Sequence, residues 1–249
     1  MLTAERRRAI LDRLERHGKV VAAELVDLLG VSEDTIRRDL RELSAQGLLH
    51  RVHGGALPAP PALGGFAERL EIAPERKAAL AEAALPLLAG ARVIVLDGGT
   101  TAVELARRLP RERACTVLTN APPVAAALAG HPRVEIVLLG GRLLKPELVT
   151  VGAEAIDALR RVRADVAVLG VCSLHPDAGV TALDREEADV DRAMVAAAGE
   201  VVALATADKL GTVSPWLVAE LADVTHVVTD GDEAAAAAIA AAGPTVVRA

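Results

Sequence analysis

The sequence predicts an α/β protein in two parts, an N-terminal winged helix-turn-helix followed by a larger parallel α/β domain. Three observations carry that prediction. A helix with one apolar stripe and one arginine face follows a glycine turn at Gly30. A proline- and glycine-rich break runs from Leu57 to Gly65. Beyond it, short apolar runs alternate with helical segments through the rest of the 249 residues.

Thr3 to His17 reads as an amphipathic helix with Ile10, Leu11 and Leu14 on its apolar side. Lys19-Val-Val21 is too short and too β-branched to extend it and suggests a small strand. Ala22 to Leu29 makes a second helix, stopped by Gly30. In the third helix, from Val31 to Leu43, Ser32 is the N-cap and Val31 and Ile36 occupy the positions of a hydrophobic staple. Ile36, Leu40 and Leu43 share one buried stripe, and at about 100° per residue Arg37, Arg38 and Arg41 point away from it, with Asp34 and Thr35 near the helix start. That is the plan of a helix-turn-helix whose second member enters the major groove of DNA. Gly47 to Ala56 alternates apolar and basic residues before Gly54-Gly55, which suggests a hairpin, or wing, with Arg51 and His53 able to reach phosphates. An arginine face on a lone helix is more often a solvated surface; three consistent elements in a row favour DNA.

These residues carry a resemblance. Through Leu29-Gly-Val-Ser-Glu33, Thr35-Ile-Arg-Arg-Asp-Leu40 and Arg51-Val-His-Gly-Gly-Ala56, residues 3 to 57 resemble the winged helix-turn-helix of the DeoR family of bacterial transcriptional regulators. The organisation expected is a DNA-binding domain over 1–57, a linker over 58–74 and an α/β domain over 75–249.

Composition narrows the classes. With 52% apolar residues, general disorder is excluded. Ala114 to Gly130 is the nearest approach to a long apolar tract, but Asn120, Pro122 and Pro123 interrupt it, so no membrane span is indicated. The N-terminus runs into Glu5-Arg-Arg-Arg8 without the apolar core of a secretory signal, and a cytoplasmic location is expected. Cys115 and Cys172 lack metal spacing and read as small buried hydrophobes; no metal and no cofactor are expected. Residues 1 to 57 carry a net charge of +1 within a chain of net −6, which leaves −7 on the remainder. DNA affinity must then come from a local basic face. Phe66 and Trp216 are the whole aromatic complement, which counts against reading single strands by base stacking.

In the second part, helices are predicted over Pro74 to Ala89, Thr101 to Leu109, Val124 to Ala129, Ala153 to Arg161, Arg185 to Ala198, Pro215 to Leu221 and Asp232 to Ala242. Strands are predicted at Arg92 to Leu96, Cys115 to Thr119, Val134 to Leu139, Val166 to Leu169, Val201 to Ala205 and Thr225 to Thr229. The alternation implies a parallel sheet covered on both faces, with ligands at the carboxyl ends of its strands. Asp97-Gly-Gly-Thr-Thr101 follows a strand and opens a helix, so its amides and hydroxyls suit an anion; Thr101 and Glu104 would equally fit a capping box in a plain turn. Thr119-Asn120 and Gly140-Gly141-Arg142 end the next two strands, and their recurrence suggests a shared crevice. Lys209 is either a cation for a phosphate or an exposed lysine beside Asp208. Glu186 and Glu187 are either hydroxyl-binding carboxylates or first-turn acids.

Leu96-Asp-Gly-Gly-Thr-Thr101, Leu118-Thr-Asn120, Leu139-Gly-Gly141, Gly179-Val-Thr181, Glu187-Ala188, Arg192-Ala-Met194 and Lys209-Leu-Gly211 also resemble the DeoR-type effector domain. The resemblance implies a fold similar to sugar-phosphate isomerases that senses phosphorylated sugars. It places Asp97, Gly99, Thr100 and Thr101 at the effector's phosphate and Asn120, Gly141 and Lys209 around the sugar. Thr206 stands where the family usually has aspartate, Asp208 at a usual serine and Leu210 at a common phenylalanine; these departures bear on which sugar is sensed. The function expected is a sequence-specific DNA-binding regulator, a repressor of a carbohydrate-metabolism operon. Its partners are a double-stranded operator, a phosphorylated sugar and further copies of itself, as homodimer or homotetramer. In the repressor, Ser32, Thr35, Arg37, Arg38, Arg41, Arg51 and His53 contact DNA. The alternatives are an active isomerase or deaminase with an appended DNA-binding module, using Asp184, Glu186 or Glu187 as base, and a constitutive DNA binder whose second domain only oligomerises.

Overall fold

The computed structural model describes residues 2–61 and 64–249. Met1, and Ala62 and Leu63 of the expected linker, lie outside the described residues.

The N-terminal unit has its own apolar core, in which Ile10, Leu14, Leu25, Ile36, Leu40, Leu43 and Leu49 meet. Helix α1 (Thr3–His17) closes on Gly18 in the left-handed region, and β1 (Val20–Val21) follows. Helix α2 (Ala22–Leu29) stops at Gly30, also left-handed. In α3 (Glu33–Ala45), Ser32 accepts the Thr35 N–H at 3.3 Å, as the sequence predicts for its cap. Strands β2 (Leu49–Val52) and β3 (Gly55–Pro58) form the wing, and β1 pairs with β3.

One tie between helices was not expected. Asp39 on α3 is 1% exposed and takes the guanidinium groups of Arg6 and Arg7 from α1. Burial pushes the Asp39 carboxyl up, but the two arginine hydrogen bonds outweigh burial and hold it below its ordinary value. Replacing Asp39 by Ala strands Arg6 in the core and is expected to destabilise this unit by about 3 kcal/mol, read by urea melting. Because the folded carboxyl is depressed, its stabilisation is complete above the ordinary value of about 4 and is lost as pH falls through the folded value. The acid side of the stability profile should therefore flatten in Asp39→Ala.

The larger unit holds a second core. After α4 (Phe66–Leu70), α5 (Pro74–Ala84) and a 3-10 turn at Leu85–Leu88, the chain alternates. Its first half is β4 (Val93–Leu96), α6 (Thr100–Arg108), β5 (Cys115–Thr119), α7 (Pro122–Leu128) and β6 (Val134–Leu138). A hairpin follows, β7 (Arg142–Leu144) and β8 (Val149–Val151), then α8 (Ala153–Leu159) and β9 (Ala164–Gly170). A second hairpin, β10 (Ser173–His175) and β11 (Gly179–Ala182), leads to α9 (Arg185–Ala197) and β12 (Ala198–Ala205). The chain ends with β13 (Trp216–Ala219), β14 (His226–Thr229), α10 (Glu233–Ala241) and β15 (Thr245–Arg248).

Seven strands form one parallel sheet in the order β15-β14-β12-β9-β4-β5-β6, the parallel α/β architecture the alternation predicts. The chain moves from β4 outward through β5 to β6, then returns to β9 on the other side of β4 and moves outward again. The β4/β9 boundary is thus the point where strand order reverses, the position at which sheets of this kind hold their ligands, outside the carboxyl ends of the strands.

The structure corrects three local expectations. Pro215 to Leu221 is no helix: Trp216–Ala219 is a strand paired antiparallel with β11, because Val218 and Ala219 are buried while Trp216 and Leu217 are not. Ser214-Pro215 before an apolar run imitates a helix start. In the segment read as linker, Pro58 closes β3, and Phe66–Leu70 is helix α4, anchored by Phe66 N–H to Pro146 O at 2.6 Å. Cys115 and Cys172 are half-buried, not core residues. Among the described residues no helix is long and apolar enough to cross a membrane, and no group of three or more His, Cys, Asp or Glu is placed to hold a metal ion.

Candidate functional sites

The first site is the outer face of α3 and the wing. Arg37, Arg38 and Arg41 are all exposed, as their spacing predicts, but they are not equivalent. Arg37 is held by Glu33 one turn earlier, at 2.6 Å. Among the described residues Arg38 and Arg41 have no ion-pair partner. Ser32 and Thr35 join their hydroxyls at 2.9 Å at the helix start. Arg51 on β2 and His53 in the wing turn are exposed.

The second site lies at the β4/β9 boundary. Asp97 is 4% exposed, and its Oδ2 accepts the Gly170 N–H at 3.0 Å, joining the ends of the two strands. The approach is close. A methyl group on Gly170 would stand 2.6 Å from Gly98 O, and one on Gly98 would run into the Val149 side chain. Gly99, at φ +92°, begins α6 with no side-chain cap. Thr100 and Thr101 sit buried in the first turn. The alternative capping box does not form: Glu104 turns to Arg107 and Arg108 instead. The helix start is therefore unclaimed by any side chain of its own.

The other predicted residues divide. Lys209 is half-buried, and its Nζ donates to Val171 O at 2.6 Å, just beyond the Asp97–Gly170 junction. Asn120 is fully buried; its Nδ2 donates to Thr150 O at 3.2 Å and its own carbonyl receives the Thr150 N–H at 2.7 Å, while its Oδ1 has no partner. Gly141, at φ +135°, packs against Val151, where a methyl group would come within 2.5 Å of the carbonyl; this is a packing requirement of the β7–β8 hairpin.

Four charged residues at this site were missed or left open. Arg69 on α4 acts electrostatically on Asp97, Glu187 and Lys209, yet it lay in the stretch read as linker. Glu187 and Asp191 lie on α9, one turn apart, and Glu147 precedes β8. Burial raises Asp97 to about 6 against the pull of the Gly98 and Gly170 amides. Burial, then Asp97 and Glu147, raise Glu187 to about 8. Burial lowers Lys209. The spacing of Glu187 and Asp191 was the available signal, since two like charges at i and i+4 are unfavourable on a helix unless something uses them.

An arginine-faced winged helix carried on an α/β domain whose strand order reverses at β4/β9 defines a two-part DNA-binding regulator. The DeoR-like helix-turn-helix domain matches residues 6–59, and the DeoR C terminal sensor domain matches residues 72–231. The chain belongs to the DeoR family of transcription regulators, and it is a DNA-binding regulator and not an enzyme. It is 36% identical to the HTH-type transcriptional regulator GlpR of Haloferax volcanii, over 99% of this chain and 98% of the relative. It is 34% identical to the HTH-type transcriptional repressor GlcR of Bacillus subtilis, over 92% of this chain and 89% of the relative. Among solved structures, ribose 5-phosphate isomerase A from Methanocaldococcus jannaschii is 17% identical, with a TM-score of 0.40 over 55% of this chain and 54% of that one.

Proposed function

We propose that this regulator is a cytoplasmic, homo-oligomeric repressor of a carbohydrate-metabolism operon, and that a phosphorylated sugar in the β4/β9 crevice sets its operator affinity. The observation that carries the reading is the uncapped start of α6: Gly99, Thr100 and Thr101 present amides and hydroxyls with helix-dipole support, the chemistry a phosphate needs. Asp97 holds that loop against Gly170, and Lys209 supplies a cation at the adjoining strand end. Asn120, on the sugar side, holds the neighbouring strand end in place through its bonds to Thr150. On DNA, Arg38 and Arg41 read base edges, while Ser32, Thr35, Arg37, Arg51 and His53 position the backbone. One such domain reads a half-site, so a homodimer or homotetramer on repeated sites follows.

A route for linkage runs through residues 209–214. Gly211 N–H donates to Leu174 O, Ser214 N–H to Thr181 Oγ1, and Val213 N–H to Pro58 O at 2.9 Å, the last residue of the wing strand. Three residues thus lie between the crevice lysine and Val213, which bonds the DNA-binding unit. An effector that favours one arrangement of this loop changes operator affinity by the same factor by which DNA changes effector affinity, typically about 1–3 kcal/mol. Gly211 has φ +71° and open space around it, so Gly211→Val strains only the backbone, by roughly 1–2 kcal/mol. Its expected result is an effector Kd within about threefold of the parent and an altered effect of saturating effector on operator affinity. Unchanged coupling would remove the loop from the route.

The reading itself is tested by a thermal-shift and operator-binding screen over phosphorylated sugars. At least one should raise Tm and change operator affinity. If none moves either signal, the second domain only assembles the protein. Turnover of any pentose or hexose phosphate would instead favour the isomerase reading.

A further inference from the structure

The crevice contains two carboxylates that the phosphate reading does not use. Glu187 and Asp191 are one turn apart on α9, which packs against β9 and β11, and both line a water-sized cavity with Gly170, Cys172 and Thr181. Asp191 is 8% exposed and its Oδ1 has no hydrogen-bond partner. Among the described residues neither carboxylate forms an ion pair. The nearby arginines are engaged elsewhere: Arg192 with Asp189 and Leu217 O, and Arg185 over the Trp216 ring at 5.7 Å. A helix rich in alanine at Ala188, Ala193, Ala196 and Ala197 could have filled this space with methyl groups. A buried, unpartnered carboxylate is retained against that alternative only where something else meets it.

The cavity wall asks for a donor. The Thr181 hydroxyl accepts from Ser214 N–H and has a single O–H left to give, too few for two carboxylates, which only accept when ionised. Charge then separates the possible donors. Asp97 and Glu147 act on Glu187, and Lys209 is committed to Val171 O; the other cations acting on the cluster are Arg69, on Glu187, and Arg192, on Asp191 but already paired with Asp189. A phosphate at Asp97–Thr101 adds further negative charge. A hydroxyl would satisfy the geometry and leave the excess; a primary ammonium satisfies both, and it fits a space where an acetamido group does not.

We propose that Glu187 and Asp191 form an inner subsite for a protonated amine, and that the effector is an amino sugar phosphate. The inference rests on the reading of the crevice as a sugar-phosphate site and names its ligand class. Raised carboxyls are consistent with it, since an arriving cation would restore their ionisation.

The test is calorimetric titration of the full-length protein with matched pairs: glucosamine against glucose 6-phosphate, galactosamine against galactose 6-phosphate, and mannosamine against mannose 6-phosphate. N-acetylated counterparts and inorganic phosphate are run beside them. In every pair that binds, the amino sugar should be at least about tenfold tighter, and N-acetylation should remove the advantage. Asp191→Asn and Glu187→Gln should each bring the pair to within about threefold, with inorganic phosphate bound as in the parent. Equal affinity within pairs, or a preference that survives both substitutions, overturns the inference and leaves the sugar-phosphate reading standing. No binding by any sugar phosphate ends both.

Discussion

A protein carrying Thr101→Glu is expected to bind its operator like the parent and to ignore every phosphorylated sugar. Thr101 is buried in the first turn of α6, the helix start proposed above to take a phosphate. A carboxylate there is tolerated by the helix itself, since negative charge at an N-terminus is favourable by about 0.3–1 kcal/mol. It fills the anion position and repels an incoming phosphate. Two unit charges 4 Å apart at an effective dielectric of about 20 interact by about 4 kcal/mol, close to a thousandfold in affinity. Thr101→Val is the milder companion. It keeps the shape and removes one hydroxyl, for a loss of about 1 kcal/mol, or severalfold in effector Kd. The measurements are effector titration by calorimetry and operator binding with and without saturating effector. A Thr101→Glu protein that still responds would show that this loop lies outside the effector site.

The second large effect is on DNA. Arg38 and Arg41 are the α3 arginines without an ion-pair partner among the described residues, so they reach the groove without first giving up a contact. Each bidentate contact to guanine is worth about 1–3 kcal/mol of discrimination, so the double change Arg38→Ala, Arg41→Ala should weaken operator binding by roughly thirtyfold or more. It should also flatten base preference in a selection from random duplexes. Arg51→Ala should instead weaken all sequences alike and reduce the slope of affinity against salt by about one counterion. Arg37→Ala costs less than Arg38→Ala if its pairing with Glu33 persists on DNA. Binding of the double variant at parental strength in moderate salt would mean that another face of the domain enters the groove.

Legibility followed the range of the interactions involved. The N-terminal unit was readable almost residue by residue, because caps, glycine stops and the 3.6-residue stripe are local signals: Ser32, Gly30 and Ile36 each act within a few residues. The parallel strands were readable because they are apolar throughout, as burial on both faces requires. The hairpins β7–β8 and β10–β11 and the strand β13 escaped notice, since each has only three or four residues and owes its conformation to a partner distant in sequence. No local signal singles out Asp39 as buried, because its partners Arg6 and Arg7 lie over thirty residues away.

By itself, the sequence determined the two-part organisation, the arginine face and the glycine-threonine loop, because periodicity, capping and backbone freedom are properties of neighbouring residues. Tertiary structure alone decided which charges share a space. It brought Arg69 from a supposed linker, Glu147 from a hairpin and Glu187 and Asp191 from α9 to the strand ends that carry Asp97 and Lys209. It also placed Val213 against Pro58, so that the crevice and the wing meet. The reason is physical: desolvation and Coulomb interaction depend on distance through space, and no spacing along the chain records it.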